Sequence, residues 1–253
     1  MISVGLDVGS RTIKLVKLGS SRSDDGERAV VPSGPNPVRR CRELLAGVPR
    51  HRLVVTGYGR HLVSDDLGAR TISEIKAYSI GARRAYADAR TVIDIGGQDS
   101  KVTLLTEGGE VQKFEMNDRC AAGTGRFLEV MAGTLEVGIS DLGGLALSAS
   151  RSANINSLCT VFAESEVVSL VSRGEESSAI ALALHQSIAV RVTAMARRVG
   201  LRDRVVFAGG AALNPCLRKL LSESLGFDIT VPESPQTVGA LGAAILAQGG
   251  ESN

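Results

Sequence analysis

A chain of 253 residues can form one large domain or two smaller ones, each with its own core. Hydrophobic residues at 43% and charged residues at 22% describe an ordinary globular protein, and with no Trp and 3% aromatics its cores must be built from Ala, Val, Leu and Ile. A formal charge of +2 gives no argument for nucleic acid and no basic run adds one, and no stretch approaches the ~18 uncharged apolar residues of a membrane span.

The chain opens on Met1-Ile-Ser-Val-Gly-Leu-Asp7, strand-like and acidic rather than a signal peptide. A turn at Gly9-Ser10 follows, and a second β-rich run resumes at Ile13. Residues 20–37 are polar with several Gly and Pro, so a loop or weak edge strand is expected. The patterns of residues 36–47 and 73–88 predict helices, with a strand over 52–56 between them. The opening hairpin then recurs as Thr91-Val-Ile-Asp-Ile-Gly-Gly-Gln-Asp-Ser-Lys-Val-Thr-Leu-Leu105. Asp7 maps to Asp94, Gly9 to Gly96 and Lys14 to Lys101, each 87 positions apart. A long period occurring twice indicates a duplicated domain rather than a solenoid.

In the second copy, residues 123–135 place Phe127, Val130, Met131 and Leu135 on one helical face. Helices are predicted over 160–172 and 177–199, the latter Ala-rich enough to be largely buried. A short strand over 204–208 ends in Gly209-Gly210, with a helix beginning near Asn214. A Pro-containing turn holding Gln236 leads to a tail helix over 238–248. Strands alternating with helices imply an α/β protein in two halves, 1–88 and 89–237, with residues 238–253 packing back on the first.

An acid followed by a Gly-rich turn suits a nucleotide phosphate. Glycine lets backbone N–H groups converge on the anion, while the carboxylate holds Mg²⁺ or orients water. Two copies facing across a cleft would grip the phosphates from both sides. Candidate contacts are Gly9, Ser10, Arg11, Thr12, Ile13 and Lys14 in the first turn and Gly96, Gly97 and Gln98 in the second. Gly209, Gly210, Ala211, Asn214 and Gln236 are the candidates for adenosine. Asp7 and Asp94 are the expected Mg²⁺ or water-orienting carboxylates, Gln98 positions the attacking water, and Lys14 or Arg11 balances phosphate charge. Neither a P-loop nor a Gly-x-Gly-x-x-Gly fingerprint is present. The two-hairpin pattern resembles the acetate kinase, sugar kinase, Hsp70 and actin superfamily, which implies duplicated ribonuclease-H-like domains with an ATP cleft between them.

Four cysteines, at 41, 120, 159 and 216, include no Cys-x-x-Cys pair, which disfavours a zinc ribbon, and a reducing cytoplasm is the expected setting. Cys120 and Cys159 each precede a predicted helix, where free N–H groups and the helix dipole favour a thiolate. Cys41 falls mid-helix beside Arg39, Arg40 and Arg42, and Cys216 follows Asn214-Pro215; neither shares that helix-start setting. A cubane cluster needs four ligands, so either all four cysteines of one chain or Cys120 and Cys159 from each of two chains would be required.

The strings Asn117-Asp-Arg-Cys-Ala-Ala-Gly-Thr-Gly-Arg-Phe127 and Cys159-Thr-Val-Phe-Ala-Glu-Ser-Glu166 resemble the activators of 2-hydroxyacyl-CoA dehydratases. The likeness extends to Thr56-Gly-Tyr-Gly-Arg60, Val92–Asp99 and Gly239–Ala244, and covers essentially the whole chain. It implies a homodimer with one interfacial [4Fe–4S] cluster ligated by Cys120 and Cys159 of each subunit. It also implies ATP/ADP and Mg²⁺ in the cleft, ferredoxin or flavodoxin as donor, and a cluster-containing dehydratase as acceptor. Related ATPase subunits serve benzoyl-CoA reductases and other low-potential systems. One departure is visible: that family carries small or hydroxylated residues where this chain has Arg11-Thr12-Ile13, although Ser10, Thr12 and Lys14 fit. A small-metabolite kinase of the same superfamily would need a separate substrate insert, and a non-catalytic nucleotide sensor would bind ATP without turnover or iron.

Overall fold

The structure is a computed structural model that describes residues 2–20, 26–48, 51–155 and 160–249. Two five-stranded sheets carry the fold. In the first, β1 (Ile2–Val8) and β2 (Thr12–Leu18) form the antiparallel hairpin, and β3 (Glu27–Pro32) lies outside β2. On the other side, β4 (His51–Thr56) runs parallel to β1, with β5 (Arg70–Thr71) at the edge. The second sheet repeats this with β6 (Thr91–Ile95), β7 (Ser100–Leu105) and β8 (Val111–Asn117) antiparallel, then β9 (Val205–Ala208) and β10 (Ile229–Thr230) parallel to β6. The orders are β3-β2-β1-β4-β5 and β10-β9-β6-β7-β8. Each sheet is therefore the same design, as the acetate-kinase and actin resemblance implies.

The repeat is visible in register. Asp7 pairs with Lys14 across the first hairpin, and Asp94 with Lys101 across the second. Residues paired across a hairpin face the same side, so each acid shares its face with a lysine. Of the polar stretch over 20–37, residues 27–32 form β3, an edge strand as anticipated.

In the first half, helices α1 (Pro37–Leu45), α2 (Arg60–Leu67) and α3 (Glu74–Ala85) fill the connections. Asn36 caps α1 ahead of a proline at its start, and the Ser73 hydroxyl caps α3 by accepting from the Lys76 N–H. The second half holds α4 (Gly125–Thr134), α5 (Leu142–Leu147), α6 (Thr160–Ser172), α7 (Ser177–Val199) and α8 (Pro215–Leu225). Its core gathers Ile93, Ile95, Phe127, Met131, Leu184 and Phe207, all with at most 2% exposure. Each such side chain contributes about 1.5–3 kcal/mol on burial. Helix α7 is long and apolar enough to cross a membrane, yet 67% of its apolar window is buried inside the protein, so it is a core helix here.

The last helix, α9 (Val238–Gln248), follows the second sheet but packs on the first. Ala240, Leu241 and Ala244 meet Val16 and Leu18, while Ala243 and Ala247 meet Val54 and Ile72. The approach is close enough to require glycine: a Cβ on Gly5 of β1 would overlap the Ala240 carbonyl, and one on Gly242 would overlap that of Ala77 in α3. Helix α3 in turn sets Tyr78 and Ala82 against Val92, Leu105 and Val206 of the second sheet. Helices α3 and α9 thus lie between the two sheets.

Candidate functional site

The two hairpin turns close with the same backbone bond: Gly9 N–H donates to Thr12 O at 3.1 Å, and Gly96 N–H to Asp99 O at 2.9 Å. They face each other, and Arg11 of the first turn lies against Gly97 of the second. Between them is a small cavity lined by Asp7, Gly9, Ser10, Thr12, Asp94 and Gln98. It adjoins a larger space of about 370 Å³ bordered by Lys14, Gly210, Ala211, Asn214, Gln236 and Ile139. The predicted phosphate and adenosine residues other than Ile13 and Gly209 therefore border adjoining parts of one cleft.

Its inner wall is a buried charge network. Asp7 and Asp94 are each 3% exposed. Lys14 Nζ lies 3.3 Å from Asp7 Oδ2, so this lysine neutralises the first acid directly. Lys101 Nζ reaches Asp99 at 2.6 Å, Glu74 at 2.7 Å and Asp94 Oδ2 at 3.6 Å. Burial opposes the charge on Lys101, but the three carboxylates hold its ammonium well above the usual lysine range. The Asp94 carboxyl is pushed up to about 7, chiefly by burial and against the pull of Lys101. Tyr78 donates to Asp7 Oδ2 at 3.5 Å; burial and the neighbouring acids raise its hydroxyl pKa, so it stays a neutral donor.

Asp94 Oδ1 is buried with no hydrogen-bond partner. A carboxylate oxygen kept dry and unpaired beside a cleft fits a hard cation or a water held by one. Gly209 preserves its space: the backbone there has φ +85°, and a Cβ would overlap Asp94 Oδ1. The carboxylates of Glu74, Asp94 and Asp99 also converge within 4.8 Å of one another. Lys101 already bridges these three, meeting Asp94 at Oδ2, which leaves Oδ1 as the Asp94 donor without a partner.

Two predicted contacts sit differently from expectation. Ile13 buries its side chain wholly in the core of the first half with Val8 and Val55, so only its backbone remains near the turn. Arg11 reaches across the cleft: its Nε donates to Glu129 Oε1 at 3.1 Å and its Nη2 lies 3.0 Å from Oε2. That bidentate pair joins the first turn to α4 of the second half. Glu74, Tyr78, Asp99, Lys101 and Glu129 complete the cleft without having been singled out. Lys101 carried a signal as the repeat partner of Lys14, whereas Glu129 looks like any solvated helix residue.

The cysteines separate by burial. Cys120 is half-buried in the connection from β8 to α4, where Asn117 Nδ2 donates to the carbonyls of Cys120 and Ala122, both at 3.0 Å. Cys159, the other expected cluster ligand, lies outside the described residues, directly before α6. Cys41 and Cys216 are fully buried, and burial pushes both thiols up to about 11. Cys216 does occupy the first turn of α8, contrary to expectation; what sets it apart from Cys120 is its apolar burial.

Comparison with known proteins places the cleft in context. The family described as "BadF/BadG/BcrA/BcrD ATPase family" matches residues 4–247. A 2-hydroxyisocaproyl-CoA dehydratase activator of Clostridioides difficile is 40% identical over 254 residues, covering 98% of this chain and 95% of the relative. The (R)-2-hydroxyglutaryl-CoA dehydratase activating ATPase of Acidaminococcus fermentans is 41% identical over 252 residues, 97% of this chain and 96% of that one. Among solved structures, the activator of the 2-hydroxyisocaproyl-CoA dehydratase from Clostridium difficile with bound ADPNP superposes with a TM-score of 0.89. It is 39% identical, and the match covers 98% of this chain and 95% of that one.

Proposed function

The chain belongs to the BadF/BadG/BcrA/BcrD ATPase family, and from that premise we propose that it is an ATP-hydrolysing activator of a 2-hydroxyacyl-CoA dehydratase. In this reading it accepts one low-potential electron from ferredoxin or flavodoxin and passes it to a cluster-containing dehydratase partner in the cytoplasm. The observation that carries the ATPase part is the pair of Asp-Gly turns closing on one cleft around the unpartnered Asp94 oxygen. Relatives named as dehydratase activators support the partner, and the ADPNP held by one of them supports the nucleotide.

Each residue then has a task. With the Gly9 and Gly96 N–H groups closing the turns, the N–H groups from Ser10 to Thr12 and at Gly97 and Gln98 bind the phosphates from opposite sides. Lys14 balances charge at the first turn. Asp7 and Asp94 would hold Mg²⁺, directly or through water, and that ion would neutralise charge on the β- and γ-phosphates. Gln98 orients the attacking water by a hydrogen bond from or to its amide. Gly210, Ala211, Asn214 and Gln236 border the adenosine. The halves 1–88 and 89–237, with 238–253 returned to the first, move relative to one another as the phosphate end empties.

Cys120 and Cys159 of each of two chains would supply the four thiolates of a [4Fe–4S] cluster, which when bound is the one-electron carrier. A half-buried cysteine beside the Asn117-braced turn suits a ligand shared with a second subunit, whereas Cys41 and Cys216 are sealed in their cores. Anaerobic reconstitution of wild type and Cys120→Ala, with iron, sulfide, subunit mass and phosphate release measured on each, tests the assignment. The expected result is a wild-type dimer with four irons and ATP hydrolysis, and a variant that binds ATP but no iron. A variant retaining full iron would overturn the ligand assignment, and a wild type that releases no phosphate would overturn the ATPase reading.

A further inference from the structure

Behind the nucleoside end of the cleft, α7 carries His185 with no exposed surface. Its Nδ1 lies 2.6 Å from the Ala181 carbonyl oxygen. A carbonyl only accepts, so Nδ1 carries the proton. Its Nε2 lies 2.9 Å from Asn214 Nδ2, an amide nitrogen that only donates, so Nε2 is bare. Burial lowers the pKa of this imidazole, consistent with a neutral ring.

The Asn214 amide is fixed from its other end as well. Its Oδ1 accepts from the Leu217 N–H at 3.1 Å and caps α8. Reversing the amide would set NH₂ against the Leu217 N–H and leave a carbonyl oxygen facing the bare Nε2. Both partners therefore select one orientation, and hydrogen-bond logic assigns it. Gly143 closes the far side, where a Cβ would come within 2.7 Å of Asn214 Oδ1 and 2.8 Å of Pro215 Cδ. With Oδ1 and one N–H committed, the second Nδ2 hydrogen makes no bond among the described residues. Asn214 borders the same space as Gly210 and Ala211.

We propose that His185 is a positioning residue: acting through Asn214, it fixes a hydrogen-bond donor at the nucleoside end of the cleft, which favours a nucleotide with an acceptor there. This rests on the reading of the cleft as an adenine-nucleotide site. A neutral imidazole suits the task because it both receives from Asn214 and donates to the helix backbone, so no buried polar atom is left over. A protonated ring would turn Nε2 into a donor facing a donor.

The test compares wild type, His185→Phe and His185→Gln by ADP titration calorimetry and ATPase kinetics. Phenylalanine fills the space without accepting, so ADP affinity falls about tenfold and KM for ATP rises, with kcat unchanged. Glutamine can present Oε1 near the position of Nε2 and restores most of the affinity. ATP analogues lacking one acceptor each (1-, 3- and 7-deaza, and 2′-deoxy) locate the bond: one of them binds wild type more weakly than ATP but His185→Phe no differently. On wild type alone, ¹⁵N spectra of the three histidines should show His185 with Nδ1 protonated and Nε2 bare, which decides the matter even if a variant fails to fold. An equal ADP affinity for wild type and His185→Phe, a fall in kcat without a rise in KM, or a bare Nδ1 would overturn the proposal. A wild type with no affinity for ADP or ATP would instead remove the nucleotide reading beneath it.

Discussion

Replacing Asp94 by Asn should make the nucleotide-free protein more stable while abolishing its ATPase activity. The carboxyl is 3% exposed, one of its oxygens has no partner, and the other is 3.6 Å from Lys101, which already has two nearer carboxylates. Its pKa is pushed up to about 7 from 3.8, burial being the main cause. Keeping it ionised at pH 8 therefore costs the fold at most roughly 4 kcal/mol, at ~1.4 kcal/mol per pH unit between the two values. Part of that is recovered by relaxation and by water entering the cleft, so the expected gain from Asn is about 1–3 kcal/mol. The sign follows from proton counting. Between pH 3.8 and 7 the native carboxyl holds more proton than the unfolded one, so wild-type stability from this group falls as pH rises through that window. The advantage of Asn is then full above pH 7 and fades towards pH 4. Thermal unfolding at pH 8 and pH 4.5 in the presence of chelator measures it, with ~2–4 °C in Tm expected per kcal/mol at this chain length. Phosphate release is assayed in parallel with Mg²⁺. A variant less stable than wild type at pH 8, or one that still hydrolyses ATP, would refute the assignment of Asp94 as a strained carboxylate kept for its chemistry.

Two further outcomes are expected. Gly242→Ala drives a methyl into the Ala77 carbonyl and separates α9 from α3, so urea unfolding should show a loss of about 1–3 kcal/mol or more, with both halves affected. Arg11→Ala removes an exposed ion pair and should cost less than about 1 kcal/mol of stability. It also removes the link between the first turn and α4, so stopped-flow release of a fluorescent ADP should become several-fold faster. An unchanged release rate would separate the Arg11–Glu129 pair from closure of the cleft.

The duplicated hairpins were legible because they repeat chemistry as well as hydrophobicity. Asp, Gly and Lys recur at one offset, and the structure pairs the Asp with the Lys in both registers. Helices α6, α7 and α9 were legible from long apolar runs with few breakers. Strand β8 was not: Val111-Gln-Lys-Phe-Glu-Met-Asn117 lies at a sheet edge with most residues exposed, so no inward-facing apolar row marks it. Helix α5 was hidden by two glycines within six residues, and α2 by a weak apolar stripe. In the cleft, the residues that line it followed from the turns, but their supports did not. Glu74 read only as one residue of the helix predicted over 73–88, and His185 was one polar letter inside an alanine-rich one. Their roles come from contacts 27 and 29 residues away in sequence, to Lys101 and Asn214, which only tertiary packing creates.

The return of α9 to the first sheet means that the chain passes between the halves twice, once after α3 and once before α9. Two crossings would act in the proposed movement as the two knuckles of a door hinge. In the proposed movement they would let the halves swing about one line and resist twisting or sliding along it. Because α3 touches both sheets and α9 meets α3 through backbone at Gly242, the proposed swing at the phosphate end would carry the far edge of the second half with it. The Cys120 connection belongs to that half. On the proposed reading, a change around a bound phosphate would reach it as rigid rotation, without any relay of side chains between them.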